Sequence, residues 1–373
     1  MTNLLDKLLI INQADLRQQG KIKYRLNEII GTAFFAMAAN ADDFVEIAAF
    51  AEVHQQQLQQ YFPKMQKTPS HDTIQRAFSM LDPKYLQKFQ TQFNQMLNTN
   101  ESEKIRKLFH IDGKTQKGNT DKHQKPNHIV SAVNEKGFSI GEELVDDKSN
   151  EITVIPELLD NLNLKGAIVT IDAMGTQRNI VAKICEKKAD YVLTLKGNQG
   201  KLYEETCLFF DDPKVLAKCR YHKTVERSRG CLEVREYWQS NSVGWLPMKA
   251  DWAGLRSVVM VCRTVTKPDG EVVVVQCRYF ISSLKLDVEA IVGAVRGHWM
   301  VEAMHWHLDV MFGEDACRVL DKVAAFNLNI LRKLVLNMLR VLDVNCKCAT
   351  SLVKKRFVVG CDPVRYLAQI LTL

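Results

Sequence analysis

Lys107-Leu-Phe-His-Ile-Asp112-Gly-Lys114 and Ala167-Ile-Val-Thr-Ile-Asp172-Ala-Met-Gly175 are the stretches on which the fold turns. In each, an apolar run of strand length ends on an Asp, and a small residue follows at once or shortly after. A carboxylate at the C-terminal lip of a buried strand lies where open α/β sheets place their chemistry. A third stretch, Arg296-Gly-His-Trp-Met-Val-Glu302-Ala-Met-His305-Trp-His-Leu-Asp309, has helical periodicity. At 3.6 residues per turn, His298, Glu302, His305 and Asp309 share one face. Two strand-end Asps and a helical Glu form an oxygen donor set suited to a pair of hard divalent cations. Each residue also has a plainer reading. Asp112-Gly113 fits a hairpin turn, Asp172 fits a cap for the helix that begins near Gln177, and Glu302 fits a solvated or salt-bridged helix position.

Around these acids, residues 105–200 alternate strands with helices. Lys114 to Asn127 is polar and carries Lys114, Lys117, Lys122 and Lys125, which reads as a mobile or a phosphate-facing loop. His128-Ile-Val-Ser-Ala-Val, turning at Asn134-Glu-Lys-Gly137, reads as a hairpin. Ile155 to Leu162 is expected to be a short helix with Pro156 in its first turn. A helix through Ile180 and a strand at Tyr191-Val-Leu-Thr-Leu195 follow. From about 203 to 285 the pattern turns β-rich, with a hairpin across Lys267-Pro-Asp-Gly270. Residues 25–100 and 288–373 read as helices, and Ala325 to Leu339 is the clearest amphipathic run.

The order and text of these segments carry a family resemblance. Asp146-Asp-Lys148-Ser149-Asn150-Glu151, Val169-Thr-Ile-Asp172-Ala-Met-Gly-Thr-Gln177 and Ala189-Asp-Tyr191-Val-Leu-Thr-Leu-Lys196-Gly-Asn198-Gln199 resemble a DDE transposase. More narrowly, they resemble the insertion-sequence group that includes the H-repeat-associated proteins. Ile111-Asp-Gly-Lys-Thr115, Pro69-Ser-His-Asp-Thr73 and the block from His298 to Asp315 fit the same group, so the likeness spans nearly the whole chain.

The resemblance implies an α/β, RNase H-like catalytic core over residues 101–373, with a β-rich insertion at about 203–285 between the second Asp and the Glu. It also implies an N-terminal helical associated domain over residues 1–100, which either engages DNA ends or caps the core. It implies metal-dependent DNA strand cleavage and transfer at insertion-sequence ends. Asp112 would bridge two Mg2+ ions, with Mn2+ able to substitute, and Asp172 and Glu302 would each complete one ion. Arg296, His298 and His305 would orient phosphate, and Lys114 and Lys196 would hold the backbone. The implied partners are double-stranded DNA, namely terminal inverted repeats and target DNA, with a homodimer on DNA and no membrane.

The text departs from its relatives at several points. Related transposases often carry Tyr, Arg and Lys seven before, four before and seven after the Glu, where this chain has Val295, His298 and Asp309. Ala303 replaces the Asn that commonly follows the Glu, and Ser228-Arg-Gly-Cys231 replaces Gly-His-Gly-Arg. These changes keep a second reading open: a DNA-binding relic or co-opted copy that has lost catalysis. A transition-metal site on His298, Glu302 and His305 is a third, although a di-iron bundle would need a second Glu-x-x-His.

Composition frames the rest. A hydrophobic content of 46% and a charged content of 25% over 373 residues are those of a globular protein. The net charge of +7 leans toward polyanionic partners. Of ten cysteines none precedes Cys185, and no Cys-x-x-Cys occurs, which fits reduced cytosolic thiols better than a disulfide framework or a zinc site. The opening run is broken by Asp6 and Lys7 and reads as neither a signal peptide nor a membrane span, so the expected location is the cytoplasm.

Overall fold

The computed structural model describes residues 4–17, 20, 22–97, 107–122, 124–228 and 230–371. Helices α1 (Leu4–Leu8), α2 (Leu26–Ala38), α3 (Phe44–Val53), α4 (Gln55–Tyr61), α5 (His71–Met80) and α6 (Pro83–Leu97) come first. The expected domain boundary at residue 100 lies outside the described residues. Strands β1 (Leu108–Thr115), β2 (His128–Asn134) and β3 (Ser139–Val145) follow, then α7 (Glu151–Asn161), β4 (Ile168–Ile171), α8 (Arg178–Glu186) and β5 (Asp190–Leu195). The insertion holds α9 (Gly200–Asp211), α10 (Pro213–Leu216), β6 (Arg220–Ser228), β7 (Cys231–Ser240), β8 (Ser257–Thr266) and β9 (Val272–Ser282). Helices α11 (Val288–Gly297), α12 (Trp299–Phe312), α13 (Lys322–Val341), α14 (Leu352–Cys361) and α15 (Pro363–Leu371) close the chain.

Among the described residues the strands form one sheet in the order β3-β2-β1-β4-β5-β9-β8-β7-β6. The first five have the RNase H-like arrangement: antiparallel β1–β2 and β2–β3 pairs, then parallel β1–β4 and β4–β5 pairs. The insertion joins this sheet directly, because β9 lies antiparallel to β5. Strand alternation assigns the faces. On β1, Phe109 and Ile111 enter the core under α7 and α8, while His110, Asp112 and Lys114 meet residues of β4, α12 and the turn beyond it. The parallel register pairs Ile111 with Ile171, so Asp112 and Asp172 stand side by side, one step past the last paired residues.

Helix α13 ties the N-terminal helices to the sheet. It was expected to be amphipathic, yet every residue from Ala324 to Leu339 is buried. The polar ones are buried because each has a partner. Asn327 donates to the Phe78 and Leu81 carbonyls, Asn337 reaches Asn94 and the Ser139 carbonyl, and Lys333 reaches Ser131 and Glu142. The helices of the first 97 residues therefore share one core with α12–α15.

Other local expectations change. Helix α7 begins at Glu151 rather than Ile155, which leaves Pro156 inside it, where the ring removes one backbone hydrogen bond. The insertion opens helically, since Leu202, Thr206 and Phe210 repeat every fourth residue and are buried on one face. The polar stretch after Asp112 is not a mobile loop at its start. Strand β1 runs through Thr115, Gln116 donates to Glu314, and Asn127 donates to the Lys322 carbonyl. Two cysteines are not free thiols: Cys262 and Cys277 are disulfide-bonded. They face each other across the β8–β9 ladder, a pairing set by the hairpin register and not by any short Cys motif.

Candidate active site

The charges of Asp172 and Glu302 reach Asp112 because β1, the end of β4 and the start of α12 adjoin. Asp112 is carried on β1, Asp172 follows β4, and Glu302 occupies the first turn of α12. One helical turn beyond Glu302, His305 places Nδ1 3.7 Å from Asp112 Oδ2, where α12 lies against β1. Asp172 is fixed by a turn: its Oδ1 accepts the Met174 and Gly175 amides at 3.0 and 3.2 Å. Glu302 sits on the exposed rim.

Electrostatics set this cluster apart. Burial, followed by the nearby charges of Asp172, Glu151 and Glu302, pushes the Asp112 carboxyl up to about 7 against the pull of the Gly113 amide. Partial burial also raises Glu302, with Arg278 drawing it back. His305 offers little counter-charge, because burial, Lys333 and Lys114 take it down to about 3 and leave it neutral. Its Nε2 is buried with no hydrogen-bond partner. Carboxyl groups raised by burial and by one another mark a candidate functional site.

The oxygen-rich donor set fits a hard divalent ion that keeps water or substrate oxygens in its shell. Among the described residues, however, no three His, Cys, Asp or Glu side chains close on one point tightly enough to hold an ion. The same geometry dismisses the transition-metal arrangement. His298 is not on the α12 face but at the break between α11 and α12, where its Nδ1 lies 3.0 Å from Thr170 Oγ1. That hydroxyl also meets His110 Nδ1 at 2.7 Å. Burial lowers His110 to about 3 and His298 to about 4, so the layer is neutral. Gly297 lets it close, since a Cβ there would sit 2.5 Å from His110 Nε2.

Several expected phosphate contacts need correction. Lys114 Nζ is bonded to Asp309, Glu314 and Asp315 at 2.5, 2.8 and 3.3 Å, with its side chain only 12% exposed. Its three N–H groups thus meet three carboxylates of the same chain. Arg296 pairs with Glu226 at 2.8 Å, and His298 and His305 are turned inward. Lys196 remains exposed at the end of β5.

A cation beside Glu302 was missed: Arg278, exposed on β9, whose charge draws the Glu302 carboxyl down. It lines a cleft of about 140 Å³ together with Glu302, His298, Trp299, Arg235 and Arg263. Arg235 and Arg263 are partly committed to Glu233. Arg278 lies 166 residues beyond Asp112 along the chain, and only the pairing of β9 to β5 brings it here, so no local motif announces it.

The raised Asp112 carboxyl predicts a pH effect on stability. Its folded value of about 7 exceeds the ordinary 3.8, so the folded chain binds more protons than the unfolded chain between those limits. Stability from this group is present at low pH and is lost as pH rises through 7. Asp112→Asn should therefore unfold later than wild type at pH 8, by roughly 2–4 kcal/mol, and show little advantage near pH 4. Denaturant titrations of both chains at the two pH values check this; equal stability at pH 8 would contradict it.

Comparison with known proteins identifies the family. A family model described as "Transposase DDE domain" matches residues 89–338, and one described as "DDE_Tnp_1-associated" matches residues 11–94. The chain is 37% identical over 364 residues to "Putative transposase YncI" of Escherichia coli O157:H7, covering 95% of this chain and 90% of that one. It is 31% identical over 383 residues to "H repeat-associated putative transposase YhhI" of Escherichia coli (strain K12), covering 100% and 98%. DDE transposases generally use divalent metal ions. With the model match spanning well over half its length, the chain belongs to the DDE transposase family.

Proposed function

We propose that this chain cuts and joins DNA strands at the ends of an insertion sequence, with Asp112, Asp172 and Glu302 as its catalytic acids. The observation that carries the reading is the placement of Asp112 on β1 with Asp172 and Glu302 near enough that their charges add to burial in raising the Asp112 carboxyl to about 7. Asp112, Asp172 and Glu302 would hold two Mg2+ ions, with Mn2+ as a substitute. Bound there, the ions would activate the attacking oxygen and stabilise the leaving one at the phosphorus. His305, held neutral by burial, would sit beside Asp112 without adding a positive charge that repels the cations. Duplex DNA would approach across the exposed face of Arg278, Trp299 and Lys196, with terminal inverted repeats and target DNA as its two forms. A homodimer on DNA and a cytoplasmic location complete the proposal; no described helix is long and apolar enough to cross a membrane.

The test is a nicking assay on duplex bearing the element's own ends, with and without Mg2+. Cation-dependent nicking at the repeat boundary is expected. Binding without nicking under every divalent cation would favour the inactive DNA-binding copy instead.

Arg278 gives the binding face its own prediction. If Arg278 meets a phosphate, Arg278→Ala should weaken binding about equally on any duplex and lower the salt slope of log K by about one. Titration of labelled duplex from 50 to 300 mM salt measures the slope, and an unchanged slope removes Arg278 from the path.

A further inference from the structure

Glu151 opens helix α7, and Gly113 follows Asp112 on β1. They meet behind the acid. By strand alternation Gly113 and Thr115 face α7, while Asp112 and Lys114 face α12. His128 stands opposite Thr115 across the β1–β2 ladder. Its Nε2 lies 2.6 Å from Glu151 Oε1 and its Nδ1 lies 2.7 Å from Thr115 Oγ1. The helix start thus grips the end of β1 through one imidazole. The grip needs Gly113, because a Cβ there would overlap Glu151 Oε1 and come within 2.7 Å of His128 Nε2. The pair is largely sheltered, with side chains 30% and 14% exposed. Helix N-termini favour a carboxylate at this position, which helps keep Glu151 in place.

We propose that Glu151 and His128 are positioning residues for Asp112. They clamp the strand end onto α7 from behind, so that the acid points across the sheet toward α12. The inference rests on Asp112 being a catalytic acid, and it gives the Lys148-Ser-Asn-Glu151 segment a role.

Four variants test it: Glu151→Ala, Glu151→Gln, Gly113→Ala and the Gly113→Ala/Glu151→Ala double. Two readouts are needed, unfolding by denaturant and single-turnover nicking over a range of enzyme concentrations. Gly113→Ala should destabilise the otherwise native chain, and most of that cost should vanish in the Glu151→Ala background, since the obstructing carboxylate is gone. For nicking, Glu151→Ala should lower the saturated rate on the order of 10–100-fold while the half-saturating concentration stays put, as expected for a misaimed group. Glu151→Gln should recover most of the rate, because an amide oxygen still accepts from His128. Glu151→Gln as slow as Glu151→Ala, or a change confined to the half-saturating concentration, would overturn the positioning role. Additive unfolding costs with nicking intact in wild type would overturn the clamp alone. A wild-type chain that never nicks would instead overturn the function, and the catalytic half of this inference with it.

Discussion

Glu302→Gln should bind duplex carrying the element's ends as wild type does and nick it at least 1000-fold more slowly, in order-of-magnitude terms. The substitution keeps length and helix propensity, so α12 should still seat against β1. It removes one anionic oxygen donor from a set of three, and a neutral amide is a poor ligand for a hard cation. Stabilising charge on a transferring phosphate by several kcal/mol is the main work such a site does, so losing one ion removes most of the rate. Phosphate contacts spread along the duplex are untouched, and binding persists. A gel-shift beside a Mg2+-dependent nicking assay measures both quantities. Equal nicking by the two chains would take Glu302 out of the catalytic set, and absent nicking by both with binding intact would support the inactive copy.

Charge relief gives Glu302→Gln a second signature. Glu302 is among the carboxylates that raise Asp112, so removing its charge should leave the folded protein no less stable at neutral pH. A variant that is dead and yet fully folded separates lost chemistry from lost structure.

What the sequence made legible is what local pattern controls. The apolar runs before Asp112 and Asp172 announce buried strands, and Asp172 does follow the end of β4. Asp112, however, lies inside β1, which stays paired with β2 through Thr115 although its pairing with β4 stops at Ile111. The hairpin and helix between them, β2, β3 and α7, return the chain so that β4 lies parallel to β1. Helical spacing places Glu302 on a helix, and it lies in the first turn of α12. What the sequence does not report is long-range partnership. Lys114, Arg296 and His298, candidates for DNA contact, meet Glu314, Glu226 and Thr170, which lie 200, 70 and 128 residues away. Arg278 was overlooked for the same reason, as the pairing of β9 with β5 exists only in three dimensions. The Cys262–Cys277 bond is likewise a product of hairpin register. Polar residues on α13 defeated the amphipathic reading because burial depended on partners from α5, α6 and β3, which periodicity does not report.

Lys114 shows how much such a hidden partner is worth. Replacing it with Met keeps the apolar stem and volume but removes the ammonium that Asp309, Glu314 and Asp315 share, leaving Lys117 on Asp315 alone. Glu314 is the critical member, since its side chain is fully buried. Burial would raise its carboxyl, but Arg332 and Lys114 outweigh that and hold it down at about 2. Without Lys114, its closest remaining cation is Arg332 at 3.7 Å, with Asn329 and Gln116 donating at 2.7 and 3.0 Å. Breaking a buried ion pair by removing one partner costs about 3–5 kcal/mol, because the other charge stays in place uncompensated. Lys114→Met should therefore lose that much in denaturant unfolding at pH 7. A depressed folded value means that the wild-type advantage is full above the ordinary 4.5 and fades as pH falls toward 2. The gap between the two chains should narrow in acid accordingly. Removing both charges, as Lys114→Met with Glu314→Leu, should cost less than Lys114→Met alone. If Lys114→Met instead unfolded within about 1 kcal/mol of wild type while the salt slope of DNA binding dropped by one, Lys114 would be a phosphate contact after all.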